Sequence, residues 1–407
     1  HKQLLKNESE KIIVRFRGVG PLPANAPFAP SREDHGSKVV KVSRIIPAGK
    51  AGNFSPGVTQ QIPFILFMNM ADPGTVSGLD LQANRILINH DKEADYKQIL
   101  TGALSPEDIG FTIRRSDLTG ETELISDRIF LDNLLVSEIL EKIPEGKPVL
   151  TYLVNNFRVN GRTTPYSFVS ALPSELFPDI DTDEIIINRW MADDLDASTG
   201  ETMTLTWFDP SFSNRLEEKS RDFYIGDITE NDSRYSDPLL MPDFPGISGS
   251  ATCSGWDAGV PILMDQIRDK DEDYWNRYRG TPKAFISYET GRMLWGNNFG
   301  TATAIRFPSS VSPEEIRKKL TGSLDPEIIG FTVTNVRDSA EKGAEQSVDF
   351  SSLFLSLSFF MIISCLILFS LAVSMYFGTR KKQAGTMYSL GLDRKSTRLN
   401  SSHRIRY

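Results

Sequence analysis

One stretch of this sequence, residues 353–377, runs for 25 residues without any Asp, Glu, Lys, Arg or His. A helix of that length spans roughly 37 Å, enough to cross a hydrocarbon core of ~30 Å with some tilt. The stretch lies too far from the N-terminus, and is too long, to be the apolar part of a secretory signal. We therefore expect a membrane-spanning helix that remains in the mature protein.

The charges on either side of the stretch predict its orientation. A basic cluster, residues 380–382, follows it directly, whereas the preceding segment 341–349 is mainly acidic. The positive-inside rule then places residues 378–392 in the cytoplasm and residues 1–352 on the extracytoplasmic side. Because this topology requires translocation of the N-terminal part, we expect a further hydrophobic segment upstream in the full-length protein.

Composition limits the partners of the large N-terminal part. Residues 1–378 have a net charge of −15, against −8 for the whole chain. Binding to nucleic acid requires clustered Lys and Arg to neutralise phosphates, so nucleic acid is excluded as an expected partner. The cysteines, Cys253 and Cys365, fall in the N-terminal part and in the apolar stretch, and no disulfide between them is expected.

An internal repeat indicates a duplicated fold. Residues 100–112 (LTGALSPEDIGFT) and 320–332 (LTGSLDPEIIGFT) are identical at ten of thirteen positions. Each copy predicts a helix that ends at a left-handed glycine, Gly102 or Gly322, then one short helical turn that begins at proline. Gly110 or Gly330 then ends the turn, and a strand follows. We place the repeat units around residues 96–114 and 316–337.

The region between the copies is rich in strands. Residues 147–159 and 165–172 are predicted strands joined by a turn at Asn160-Gly161. Further strands are expected at 184–190, 203–207 and 223–228, with a short helix near 191–195 and a charged helix at 269–278. The fold class is therefore α+β with antiparallel sheet: duplicated halves and an inserted strand-rich subdomain, followed by one transmembrane helix.

Motifs of catalysis and cofactor binding are weak or absent in the sequence. Residues 246–250 (GISGS) resemble a nucleophile elbow, but Ser250 stands where that pattern requires glycine. The acidic residues Asp193, Asp194 and Asp196 are predicted to be polar residues at a helix end. The four histidines show no metal-ligand spacing, and no phosphate-binding loop occurs. We expect no enzyme activity, no cofactor and no metal.

Aromatic residues are dense between positions 244 and 299, where three of the five tryptophans lie. Such residues bury large areas and usually form a core, which is the favoured interpretation. The alternative is a groove for an apolar ligand.

Serines recur within the apolar stretch, and Ser370 and Ser374 are one helical turn apart. Small hydroxyl residues at such spacing favour close helix–helix contact in lipid. Alternatively, each hydroxyl bonds to a carbonyl one turn earlier and has no further role. The number of serines favours packing, and we assign to it Ser356, Ser364, Ser370 and Ser374.

Residues 349–360, the apolar stretch, and residues 380–392 resemble the second transmembrane segment of FtsX/MacB-type ABC transporter permeases. Residues 184–205 are similar to the MacB-like extracytoplasmic core, and residues 236–306 resemble the large first ectodomain of long permeases of this class. Residues 393–403 instead resemble the translation of a sequencing-library adapter, so we expect 393–407 to be an artefact.

Permeases of this family typically show the pattern Arg-x-x-Glu-Ile-Gly-x-x-x-Ala-Leu-Gly after this helix, where the chain contacts the ATPase. Here the sequence has Gln, Ala and Ser at the Glu, Ile and Ala positions and matches the pattern at Arg380, Gly385, Leu390 and Gly391. The resemblance assigns coupling to the ATPase to the following residues: Arg380, Gln383, Gly385, Ser389 and Gly391.

The resemblance implies a non-enzymatic permease subunit that transmits ATPase-driven motion to its extracytoplasmic domain, for lipoprotein release or efflux. Its implied partners are an ABC ATPase, a second permease chain, the lipid bilayer and a lipoprotein or envelope protein. The implied location is the bacterial inner membrane, with residues 1–352 in the periplasm. The alternative hypotheses are a single-pass receptor or adhesion ectodomain and a membrane-anchored hydrolase.

Overall fold

The computed structural model of the 407-residue chain describes residues 11–17, 22, 26–29, 35–47, 50, 55, 65–69, 83–89, 94–175, 177, 180–210, 217–230, 234–347 and 350–391. The chain divides into two compact units. The first comprises His1–Ile45 and Leu66–Val333, and the second comprises Ile46–Ile65 and Thr334–Tyr407. The predicted artefact at 393–407 lies outside the described residues, as does Leu392.

Strands dominate the first unit. A two-stranded antiparallel hairpin consists of β1 (Lys11–Arg17) and β2 (His35–Lys41). The other strands of the described residues form one nine-stranded mixed sheet: β3 (Phe111–Arg115), β4 (Thr122–Ser126), β5 (Lys147–Val159), β6 (Arg162–Leu172), β7 (Glu184–Asn188), β8 (Thr202–Phe208), β9 (Glu218–Thr229), β10 (Ala284–Ser287) and β11 (Ala304–Phe307).

Six of these strands close into a barrel. The sheet order is β3-β4-β11-β5-β6-β10-β7-β9-β8, and β8 returns to pair with β5, Leu205 opposite Phe157. The N-terminal half of β5 instead pairs with β11, so β11, β4 and β3 extend the sheet away from the barrel. Only β6–β10 and β7–β9 are parallel pairs, so the prediction of a mainly antiparallel sheet is confirmed.

Local sequence explains the central hairpin. Asn160 and Gly161 have φ values of 49° and 82°, the positive values that a two-residue type I′ turn needs between β5 and β6. β5 is almost continuously buried because both of its faces are covered, whereas β8 alternates buried and half-buried residues. The predicted strands at 147–159 and 203–207 are confirmed.

Helices cover the sheet, and several begin at a side chain that caps their first turn. Asp132, Asn188, Ser287 and Ser312 each accept a hydrogen bond from a backbone N–H in the first turn of the helix that follows. In the first unit the helices are α1 (Tyr96–Ala103), α2 (Asn133–Lys142), α3 (Arg189–Leu195), α4 (Asp269–Tyr278), α5 (Tyr288–Trp295), α6 (Pro313–Leu320) and α7 (Pro326–Ile329).

The buried apolar residues of the first unit form three cores, the smallest of which includes Phe285. The barrel core contains Phe157, Phe168 and Phe223, closed by Trp295 of α5. A second core lies where α2 and α6 cover β4 and β11, and it includes Ile139, Ile305 and Ile316. The aromatic-rich segment contributes fully buried side chains such as Phe244 and Trp275 to the barrel core. The core interpretation of these aromatic residues is therefore confirmed.

The two copies of the repeat share their helical part. α1 and α6 are each followed by a short turn, a 3₁₀ turn at Glu107–Ile109 and α7 respectively. Gly110 and Gly330 end these turns with φ values of 80° and 100°, as predicted. The next N–H donates to the proline carbonyl in both copies, Phe111 to Pro106 and Phe331 to Pro326.

Other predictions for the repeat are wrong. Gly102 lies inside α1 because that helix continues to Ala103, so only Gly322 is left-handed, with φ of 70°. Phe331 begins no strand, because residues 331–335 pair with no strand among the described residues. Within residues 96–114 and 316–337, the likeness of the two copies is thus limited to the helix and the turn.

The second unit contains α8 (Val336–Ser347) and α9 (Phe350–Ser389). α9 is 40 residues long, so it includes the whole apolar stretch 353–377 and continues for twelve residues beyond it. Among the described residues it is the one helix long and apolar enough to cross a membrane.

Candidate functional site: helix α9 and the charged clusters of the first unit

The apolar part of α9 presents large hydrophobic side chains on all sides. Phe360, Met361 and Met375 are each about 70% exposed, at 71%, 72% and 72%. A helix with apolar residues all round is stable when it is surrounded by other apolar groups, as in a membrane. Its composition and length therefore fit a lipid environment.

The predicted coupling residues lie at the C-terminal end of α9. Arg380, Gln383, Gly385 and Ser389 are within the helix, and Gly391 follows its end. Successive residues are ~100° apart around a helix, so Arg380 and Gln383 share one side and Gly385 and Ser389 lie on the opposite side. A flat partner surface can contact one of these pairs at a time.

The two glycines of this segment have different local surroundings. Gly391 has a φ of 76°, and its N–H donates to the carbonyl of Tyr388 at 3.2 Å, so it is the left-handed residue that ends α9. Gly385 lies within the helix, and a Cβ added there would meet no atom within 4 Å. The left-handed backbone at the end of α9 therefore explains why residue 391 is glycine. Neither backbone conformation nor packing within this chain explains the glycine at residue 385.

The predicted packing serines fall mainly on one side of α9. Ser356, Ser370 and Ser374 lie within ~40° of one another around the helix axis, and Ser364 is ~80° from Ser356. The Ser356 and Ser364 hydroxyls donate to the carbonyls of Leu353 and Phe360 at 2.9 and 2.8 Å. These two hydroxyls thus bond to a carbonyl about one turn earlier, as the alternative interpretation expects. Such bonds do not prevent a second helix from packing closely against the small serine side chains.

A buried cluster of charges lies in the first unit, and sequence reasoning missed it. The fully buried Arg306 of β11 has its Nε 2.7 Å from Glu121 Oε2, and it also pairs with Asp237. Arg114 of β3 pairs with the buried Glu123 at 2.9 Å and donates to the carbonyls of Leu239 and Met241. The cluster thus fixes the loop after β9 onto β3, β4 and β11.

Burial dominates the protonation of Glu123. It raises the pKa of this carboxyl to about 7, although the nearby Arg114 and Arg306 act to lower it. The only sequence signal was the presence of charged residues within apolar strands, Glu123 in TELIS and Arg306 in AIRF.

A second charged cluster surrounds Lys283. Its ammonium lies over the rings of Trp190 and Tyr274, 3.8 and 4.5 Å from their centroids, and 3.6 Å from Asp271. Burial lowers the pKa of Lys283 to about 8, while Asp271 acts to raise it. The groups are satisfied by one another, which is typical of a structural cluster.

Asp194 lies near the end of α3 as predicted, but its carboxylate is buried. Arg268 and Thr164 donate to it at 2.7 and 2.5 Å, and Lys270 also contacts it. Burial acts to raise the pKa of Asp194, yet the hydrogen bonds from Lys270, Thr164 and Arg268 outweigh it and hold the pKa below the usual value. Asp194 therefore links β6 to the start of α4 through Thr164 and Arg268.

The cavity beside the aromatic residues of the first unit is small, whereas an open hollow of about 710 Å³ beside α5 is lined mainly by polar residues such as Thr182, Glu289 and Arg292. A cavity of about 20 Å³ lies next to Lys283 and is lined in part by Cys253, Trp256 and Trp275. This volume holds roughly one water molecule, so no apolar ligand fits there. Among the described residues, no group of three His, Cys, Asp or Glu is placed to hold a metal ion.

The chain has structural neighbours among the solved structures. No family model matches the chain, and no curated protein matches it. Among solved structures, the chain is similar to a domain of a candidate permease protein from Porphyromonas gingivalis, at 14% identity, over 47% of this chain and 70% of that one, with a TM-score of 0.24. A similarity of this size supports no conclusion about fold or function.

Proposed function

We propose that this chain is the membrane subunit of an ABC transporter of the FtsX/MacB type and transmits ATPase-driven motion to an extracytoplasmic domain. The coupling pattern in residues 380–391 occurs together with ectodomain segments, 184–205 and 236–306, that resemble the same family. Hydrolysis of ATP takes place in a separate subunit, and the chain itself catalyses no reaction.

The continuity of α9 is the observation that carries this proposal. The apolar run and the basic segment with the coupling pattern form one helix from Phe350 to Ser389, without a break at Arg380. A helix whose backbone hydrogen bonds are uninterrupted moves as a stiff rod over this distance. A displacement at Gly385 would therefore reach the extracytoplasmic end of the helix.

The first unit is suited to move as a body. Its barrel is closed by the β5–β8 pairing, and the buried clusters around Arg306 and Lys283 fix loops and helices to the sheet. Breaking a buried pair leaves an uncompensated charge and is strongly unfavourable, so these clusters resist local opening.

The proposal includes a location and partners. The chain lies in the bacterial inner membrane, with residues 1–352 in the periplasm. It works with an ABC ATPase and a second permease chain, and its extracytoplasmic domain acts on a lipoprotein or another envelope component in lipoprotein release or efflux.

Substitution of Gly385 tests the coupling. Gly385→Trp in the full-length protein should leave membrane insertion intact, since residue 385 lies beyond the apolar stretch and a Cβ added there meets no atom within 4 Å. It should abolish co-purification of the ABC ATPase or the stimulation of its activity. Thr386→Trp is the matched control, because residue 386 is exposed and lies ~100° around the same helix from Gly385, between the two pairs of coupling residues.

The control should retain the ATPase. If Gly385→Trp binds and stimulates the ATPase like the parent, residues 378–392 are only a stop-transfer tail. The single-pass receptor or adhesion protein would then be the better interpretation.

A further inference from the structure

The two copies of the repeat contact each other, although they are 220 residues apart in the sequence. Lys97 Nζ of α1 lies 3.3 Å from Glu327 Oε1 of the second copy. Arg317 Nε of α6 lies 2.6 Å from Glu107 Oε1 of the first copy. Lys97 and Arg317 occupy equivalent positions in the two copies, and so do Glu107 and Glu327.

These ion pairs are therefore reciprocal. A cation of the first copy pairs with an acid of the second, and the equivalent cation of the second pairs with the equivalent acid of the first. Such mutual contacts are the property of an isologous interface around a two-fold axis. The copies thus form a two-fold pair within one chain, in the manner of the two subunits of a homodimer.

A backbone bond and shared apolar contacts reinforce the pair. The N–H of Gly322 donates to the carbonyl of Leu104 at 3.0 Å, and a Cβ added to Gly322 would lie 3.7 Å from the Cα of Gly102. Phe111 of the first copy and Leu320 and Leu324 of the second belong to the same apolar core. The contact therefore does not depend on surface charges alone.

The position of the pair in the chain gives it a role. α1 is the first and α7 the last helix among the described residues of the stretch Leu66–Val333. We propose that the paired repeat is a clasp that joins the beginning and the end of this stretch into one rigid joint. Under the proposed function, on which this role rests, the joint makes the first unit respond to a displacement of its C-terminal end as one body.

Charge reversal across the joint tests the clasp in the full-length protein. Arg317→Glu should increase amide exchange a few-fold in the first copy, at residues 104–110, although the substitution is in the second. Glu107→Arg should do the same at residues 322–330. The double variant restores an ion pair of reversed polarity and should return exchange in both copies towards that of the parent.

A pair within α6 is the matched control. Lys319 and Glu315 lie 3.0 Å apart with similar exposure, but both belong to the second copy. Reversal of either charge should change exchange in α6 and leave residues 104–110 unaffected. If the Arg317 and Glu107 variants also act only within their own copy, or if the double variant restores nothing, there is no clasp. The readout involves no ATPase, so its failure is distinct from failure of the coupling test.

Discussion

The buried acid Glu123 makes the stability of the first unit depend on pH. Its pKa is about 7 in the folded protein and has an ordinary value in the unfolded chain, so the folded state holds the extra proton between about pH 4.5 and 7. The folded state therefore loses stability as pH rises through this range, because the carboxylate must then be charged while buried.

Glu123→Gln should remove this pH dependence. The free energy of unfolding of the parent should fall by about 2 kcal/mol between pH 5 and pH 8 because of Glu123, and that of the variant should lack this fall. All five tryptophans lie in the first unit, so the thermal transition can be followed there by tryptophan fluorescence of the full chain in detergent. A difference between variant and parent that is the same at both pH values would contradict the pKa assigned to Glu123.

Two helical glycines should respond oppositely to alanine. A Cβ on Gly291 of α5 would lie 2.2 Å from the Cβ of Ala171 in β6, so Gly291→Ala should destabilise by roughly 1–3 kcal/mol through overpacking. Gly102 of α1 has open space at the same position, so Gly102→Ala should stabilise by roughly 0.5–1 kcal/mol. Equal effects in thermal unfolding would show that the close packing of α5 on β6 is wrong.

At the level of elements, apolar patterning was sufficient for the long strands and the capped helices. β5 matches its predicted bounds because its apolar run is long, and α4 matches because charged residues and a following Gly and Pro delimit it. β10 and β11 are only four residues long and carry too little pattern to predict. The β5–β8 pairing that closes the barrel depends on tertiary contacts and has no local signal.

The candidate site was predictable to different degrees. The predicted coupling residues come from the resemblance to a family pattern with fixed spacing; four of them lie on α9, and Gly391 follows its end. The Arg306 cluster joins residues far apart in sequence, since Asp237 is 69 positions from Arg306, and no spacing rule connects them. The strand predicted at Phe331 failed because a strand needs a neighbour, which the local sequence does not specify.

The serine side of α9 should mediate association with another membrane helix. Ser374→Ile places a branched side chain where close approach is expected, and it should weaken helix association in a reporter assay in a bacterial membrane. Cys365→Ile is the control, because Cys365 lies on the opposite side of the helix from Ser374. Equal association of both variants with the parent would show that the serines have no packing role.

At the scale of the whole molecule, three parts follow one another along the chain. A folded first unit with buried charge clusters is followed by a helix with the length and composition of a membrane span, and that helix ends in the basic segment with the coupling pattern. A transmitting subunit needs these parts on opposite sides of the membrane. The proposed function therefore requires that the first unit and the end of α9 lie on opposite sides of the membrane.

Labelling of single cysteines in intact bacteria tests that claim most directly. With Cys253 and Cys365 replaced, the full-length protein receives one new cysteine, either at Ser254 of the first unit or at Thr386 near the end of α9, both exposed positions. A membrane-impermeant maleimide should modify the Ser254→Cys variant in intact cells and the Thr386→Cys variant only after permeabilisation. The reverse pattern, or equal labelling of both in intact cells, would contradict the account.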